Sequence, residues 1–271
     1  MANRRGLFSE RMELTSPSDF AKEQVQTVQS YAVFCAQTIA NLFRKPLYFA
    51  DMVLQGDLIG VGSLPIVVLT GFFTGAVLAL QAANTLERFG SIDLVGQLVS
   101  ISMVRELGPV LTGLMVAGRN ASGMASELGS MIVTEQVDAM RALGTDPMKK
   151  LVTPRVAATV FMLFFLTIIS DLVGLIGGLF IAKILLRLDA SQYWYNAWQI
   201  LVFQDVFMGL LKPVIFGFVI ATVGCFYGMN ARGGTQGVGR ATTQAVVAAS
   251  VLILALDLFI TRLLMATLSF H

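Results

Sequence analysis

The chain has 271 residues, 55% of them hydrophobic and only 13% charged, with a mean hydropathy of +0.73; this balance excludes a soluble domain and identifies an integral membrane protein. A net charge of +2 gives no reason to expect a nucleic-acid partner, so Lys and Arg are read for topology instead. Two cysteines, Cys35 and Cys225, cannot make a disulfide framework and lack metal-ligand spacing, so both read as small apolar residues.

Residues 1–19 are polar and lack the short apolar core of a secretory signal. From Phe20 to Phe43, Val25, Val28, Ala32, Cys35, Ile39 and Leu42 fall at helical spacing, with Gln24, Gln26, Gln29, Gln37 and Asn41 on other faces. Such a helix lies in the membrane interface or packs on other helices, and Arg44, Lys45 and Pro46 end it. A first span follows in the 29 uncharged residues between Asp57 and Glu87. The second lies between Asp93 and Arg119, the third between Arg155 and Lys183, the fourth between Asp205 and Arg232, and the fifth after Arg240. The predicted fold is therefore all-α, with an interfacial region over 1–57 and a five-span domain over 58–271.

Cytoplasmic connections retain positive charge. Residues 1–57 carry six Lys or Arg, 119–155 carry five and 229–242 carry two, whereas 85–97 and 184–205 carry only Arg88 and Arg187. This predicts a cytoplasmic N-terminus and a C-terminus on the outer side. Glycine pairs at four-residue spacing, Gly71 and Gly75, Gly174 and Gly178, Gly224 and Gly228, suit close helix approach within a bundle or across a dimer.

Catalytic patterns are missing. The one histidine is the terminal His271, and there is no HExxH, CxxC or Ser-Lys pair. GTQGVGRA, residues 234–241, mimics a phosphate loop, but Arg240 and Ala241 stand where Lys and Ser or Thr are needed. It reads as a flexible loop opening the fifth span. Charges inside spans are more informative. Arg105 and Glu106 are the twelfth and thirteenth residues of the 25-residue stretch 94–118, with Pro109 placed to kink it. Facing lipid, each would cost about 2.5–3.5 kcal/mol, so both must meet protein, water or a ligand. Lys212, beside Pro213, is similarly placed in the fourth span. Arg105, Glu106 and Lys212 could line a cavity for a zwitterionic or anionic lipid headgroup, or Glu106 could pair with Lys212 between helices; the two readings are compatible. Asp171 and Asp257 read as structural hydrogen-bonding groups.

SELGSMIVTEQVDAMRALGTDPMKK, residues 126–150, is a charged stretch between two spans. Leu128, Met131, Ile132, Val133, Val137, Met140 and Leu143 form an apolar band over Glu127–Leu143, while Glu127, Glu135, Asp138 and Arg141 project elsewhere. Gly144 and Asp146-Pro147 end it. The pattern predicts one short cytoplasmic helix that either sits in a groove of a soluble partner, passing its movement to the bundle, or lies on the membrane surface.

RELGPVLTGLMVAGRNASGMASELGSMIVTEQVDAMRALGTDP (105–147), LVTPR (151–155) and GVGRATTQAVV (237–247) together resemble the MlaE/YrbE permeases, membrane subunits of ABC transporters that work with MCE-domain proteins. The resemblance runs from about residue 30 to 268, with Asn120 beside Arg119 a minor departure. It implies a homodimeric inner-membrane permease without catalysis of its own. A pair of cytoplasmic ATPases carrying ATP and Mg would bind the 126–147 coupling helix through Glu127, Met131, Glu135, Asp138, Met140 and Arg141. An MCE-domain hexamer would sit on the outer side, and some systems add a STAS-domain protein. The cargo would be phospholipid or a related hydrophobic molecule, and Arg105, Glu106 and Lys212 match positions facing the central lipid cavity. The competing reading from the residues is a proton-coupled transporter or channel using Glu106, Asp171 and Asp257 without an ATPase.

Overall fold

The computed structural model describes residues 17–45 and 48–267, with side chains from residue 25 onward. Arg4, Arg5 and Arg11 of the polar N-terminal stretch, the Pro46 stop and His271 lie outside the described residues. No strand occurs among the described residues, and five helices are long and apolar enough to cross a membrane.

The helix expected near the N-terminus is α1, Pro17–Leu42. Its predicted stripe is turned away from the protein: Val25, Val28 and Ile39 are exposed, whereas Phe34 and Thr38 are buried. An apolar face left bare on a helix too polar to span is what an interfacial helix presents to lipid. The inner face is pinned by Tyr31, whose hydroxyl lies 2.9 Å from Thr222 Oγ1, and by edge-on contacts of Tyr31 and Phe34 with Phe226. Burial pushes the Tyr31 phenol well above its ordinary range.

The spans are α2 (Phe49–Glu87), α3 (Ile92–Val133), α5 (Met148–Ile184), α7 (Phe203–Met229) and α8 (Gly234–Thr267). Two short helices complete the fold, α4 (Gln136–Ala142) and α6 (Ala190–Gln199). Because lipid tails are as apolar as the side chains, association between spans rests on close packing more than on hydrophobic transfer. The spaced glycines supply it inside one chain. At the α2–α5 crossing a Cβ on Gly75 would stand 1.8 Å from the Gly174 carbonyl oxygen, so only glycine permits that approach. Gly224 and Gly228 meet Ala121 and Ala125 of α3 in the same way.

α7 is the central helix, 61% buried over its most apolar window, while α8 is only 17% buried. Met208, Phe216 and Ile220 of α7 pack with Val116, Ala117 and Ala121 of α3 and with Ala245, Ala249 and Ile253 of α8. The opposite face of α8 leaves Val247, Val251, Leu254 and Leu258 exposed, a continuous apolar stripe at i, i+4, i+7 and i+11.

Three expectations are corrected. The second span continues well past Arg119, because α3 runs to Val133 and carries π turns at Met103–Leu107 and Ala117–Ala121. The continuous helix expected over Glu127–Leu143 is broken: Glu135 adopts a left-handed backbone with φ 59°. The consecutive β-branched residues Ile132, Val133 and Thr134 weaken the helix there, and Thr134 Oγ1 donates to the Ser130 carbonyl at 2.9 Å. Finally, residues 234–241 form no loop. They are the first turns of α8, because Gly233 and Gly234, at φ 93° and 67°, complete the reversal before them.

α6 was not foreseen. It buries Tyr193, whose hydroxyl donates to the Leu175 carbonyl at 3.1 Å. Burial holds this phenol well above its usual range.

Candidate functional site

The intramembrane charges converge where α3, α7 and α8 meet. The cause begins in the backbone of α3. Pro109 has no N–H to offer the carbonyl of Arg105 four residues earlier, and the helix widens into the π turn at Met103–Leu107, where Gly108 N–H reaches back to the Met103 carbonyl. The kink expected at Pro109 is thus a π turn. The freed Arg105 carbonyl accepts from Lys212 Nζ at 2.9 Å, so a side chain of α7 replaces the missing backbone donor.

Lys212 has no exposed side-chain surface, and Nζ lies 2.6 Å from Glu106 Oε2 and 2.9 Å from Asp257 Oδ1. A fully buried ammonium is tolerable only with such partners. Glu106 keeps 37% of its side chain exposed and Asp257 20%. Thr261, one turn along α8 from Asp257, places Oγ1 3.3 Å from Glu106 Oε1. Arg105 faces the other way, toward the start of α7. Its Nε donates to Asp205 Oδ1 at 2.6 Å, while Asp205 Oδ2 accepts from the Val202 N–H at 3.1 Å and so caps α7.

The three residues singled out from sequence are therefore brought together, and the Glu106–Lys212 pair exists. Both cations are already engaged by Glu106, Asp205 and Asp257, three carboxylates against two cations, so the cluster offers no surplus positive charge. Asp257 proves to be an ion-pair partner of Lys212, more than the hydrogen-bonding role expected of it. Sequence reasoning passed over Asp205 and Thr261. Asp257 and Thr261 stand four apart, a spacing that places both on one helix face; Asp205 carried only the signal of a helix start. Asp171 stands apart, buried against Gly108, where any side chain would run into its carboxylate. Of the three acidic residues of the proton-coupled reading, Glu106 and Asp257 share Lys212, and Asp171 takes no part in that pairing.

On the side of α3 that faces α2, an apolar groove follows the seam of the two helices. One section of about 310 Å³ is lined by Phe73, Val77, Leu78, Gln81 and Leu107. The next, about 280 Å³, is lined by Leu69, Thr70, Leu111 and Met115 and shares Phe73 and Thr74 with the first. Leu107 follows Glu106 in sequence, roughly a quarter-turn further round α3, so the charged cluster and the groove occupy neighbouring faces of one helix.

The second group of residues lies at the α3–α4 end. Glu127, on the last turns of α3, pairs with Arg155 of α5 at 2.9 Å; it fastens two spans together, so it is not part of α4. Met131 and Met140 are half-buried, and Val137 is fully buried in the same cluster. Glu135 is exposed at the break. On α4 Asp138 and Arg141 are exposed and form an ion pair of 2.9 Å. Leu143, just beyond α4, is 84% exposed. A charged knob with an apolar tip therefore projects from a buried anchor. Nearby, Lys150 bonds Asp51 and lies over the Tyr48 ring, tying the start of α5 to that of α2. Among the described residues no cluster of His, Cys, Asp and Glu has metal-binding character.

Comparison with known proteins agrees with this architecture. Residues 52–263 match the family model described as Permease MlaE. A probable ABC transporter permease protein of Rickettsia bellii is 43% identical over 238 residues, 88% of this chain and 92% of the relative. The intermembrane phospholipid transport system permease protein MlaE of Haemophilus influenzae is 34% identical over 218 residues, 80% of this chain and 84% of its own. The chloroplastic protein TRIGALACTOSYLDIACYLGLYCEROL 1 of Arabidopsis thaliana is 32% identical over 218 residues, 80% of this chain and 62% of the plant protein. A family match over residues 52–263 and relatives of this identity and coverage identify the chain as a member of the MlaE permease family.

Proposed function

We propose that this permease moves phospholipid, or a related lipid, between the inner membrane and the cell envelope as the non-catalytic membrane subunit of an ABC transporter. The observation that carries the reading is the part-exposed Glu106 carboxylate, fixed by buried Lys212 on the same helix, α3, whose next residue walls an apolar groove. The groove holds lipid tails, and Glu106 with Thr261 meets the headgroup. With both cations already paired, Glu106 favours the ammonium end of a zwitterionic headgroup over a bare anion.

Two copies of the chain form the lipid path, and the exposed stripe Val247, Val251, Leu254 and Leu258 of α8 is the face that a second copy covers. A pair of cytoplasmic ATPases holding ATP and Mg engages α4 through Glu135, Asp138, Arg141 and Leu143. Met131, Met140 and Val137 transmit the motion inward, and Glu127 with Arg155 braces α3 against α5. An MCE-domain hexamer receives or delivers lipid on the opposite side, and a STAS-domain protein completes some assemblies. The N-terminus then lies in the cytoplasm, in line with the positive charge of the connections at that end.

The test is ATP-driven lipid movement in liposomes holding the permease with its ATPase. Glu106→Lys places a cation against Lys212 and toward the headgroup; it should cut transport by at least about tenfold, the cost of losing one charge-assisted contact, while the complex still assembles. Transport that persists without ATP, or is unchanged in this variant, removes the reading.

A further inference from the structure

A second polar concavity lies at the end of the bundle that carries α1, about 20 Å along α7 from Lys212 at 1.5 Å per residue. This cleft, about 700 Å³, opens between α1, the end of α7 and the start of α8. Its lining includes Gln26 and Ser30 of α1, Asn230 and Arg232 after α7, and Arg240 and Gln244 of α8, with no carboxylate among the described residues. Neither arginine takes part in a salt bridge or side-chain hydrogen bond among the described residues. Two guanidinium groups that are unpaired among the described residues and line one concavity attract an anion.

The placement is built into the backbone. Gly237 packs over the Arg232 carbonyl so closely that a Cβ there would stand 1.8 Å from the oxygen. The reversal after α7 is thereby folded onto the first turn of α8, so that Arg232 lines the same cleft as Arg240, less than one turn beyond Gly237. A neighbouring concavity of about 540 Å³ lies on the other side of Arg240 and shares Gln244. The start of α8 adds free backbone N–H groups and the positive end of a 34-residue helix. Val25 and Val28, beside the lining residues of α1, are exposed and apolar, which sets the cleft at the level where lipid tails give way to headgroups.

We propose that this cleft binds a phosphate-bearing anion, and that the bound group ties α1 to the α7–α8 reversal. Arginine forks match phosphate oxygens two at a time, and Gln26, Ser30 and Gln244 supply neutral donors around them. The anion can come from an anionic lipid of the leaflet on the α1 side or from soluble phosphate. The site is separate from the Lys212 cluster and does not depend on the lipid path proposed above.

The test uses the full chain in phosphatidylcholine nanodiscs doped with photoactivatable phosphatidylglycerol, with crosslinked peptides mapped by mass spectrometry. Adducts are expected on peptides from 226–244. Arg232→Gln with Arg240→Gln should lower their yield by on the order of tenfold, and Arg232→Lys with Arg240→Lys should retain most of it, which separates lost charge from lost fold. Competition by millimolar inorganic phosphate assigns the site to soluble phosphate, and its failure to compete assigns it to lipid. Equal yield from photoactivatable phosphatidylcholine, or an unchanged yield in the glutamine pair, overturns the proposal.

Discussion

Replacing Lys212 by Met keeps most of the side-chain volume and removes the one cation that Glu106 and Asp257 share. Their oxygens lie 2.6 and 2.9 Å from Nζ, so they stand within about 5.5 Å of each other, and two bare carboxylates at that distance repel by ~3 kcal/mol at an effective dielectric near 20. The Arg105 carbonyl, which Lys212 satisfies at 2.9 Å, is orphaned for about 1 kcal/mol more. Water reaches the part-exposed Glu106, and proton uptake by one carboxylate relieves the repulsion, so a net loss of ~3 kcal/mol is expected, at the lower end for a broken buried pair. For a domain of this size that corresponds to about 6–12 °C in the unfolding midpoint, measured on the detergent-solubilised chain. Adding Glu106→Gln and Asp257→Asn removes the repulsion and should recover at least half of the drop. A Lys212→Met chain that melts with the wild type, or a triple variant no better than the single one, would refute the electrostatic reading.

Asp205→Asn should weaken both the Arg105 pair and the cap of α7, lowering stability by about 2 kcal/mol in the same melt. Gly75→Val drives a side chain into the Gly174 carbonyl and should separate α2 from α5, seen as loss of folded, monodisperse protein on size exclusion. Glu135→Gly relieves a left-handed residue and should raise stability by about 1 kcal/mol in the same melt, whereas Glu135→Lys with Asp138→Lys should reduce ATPase co-purification. Burial raises the Tyr193 pKa above its ordinary 10.0. Its contribution to stability is therefore complete below pH 10 and is lost as rising pH ionises the unfolded chain first; an alkaline melt should show this loss, and Tyr193→Phe should diminish it.

The spans were legible because long uncharged runs have one physical solution in lipid. Arg105, Glu106 and Lys212 stood out for the same reason: a charge in such a run must find partners. Which partners it finds depends on how α3, α7 and α8 cross, so Asp205 and Thr261 escaped notice and Asp257 was read only as a hydrogen-bonding group. The break at Glu135 was hidden because Val133, Val137 and Met140 keep a helical period across it, and no glycine or proline marks the left-handed residue. Residues 234–241 misled in the opposite direction: their glycines suggest a loop, yet Gly237 is there for close packing on Arg232.

The central claim, that a nucleotide cycle acting through α4 reshapes a lipid site beside Glu106, is tested most directly by a photoreactive residue in place of Leu78 on the groove wall. Crosslinking of lipid to the permease–ATPase complex should be strong without nucleotide and fall severalfold when ATP is trapped. Equal yields in the two states would contradict it.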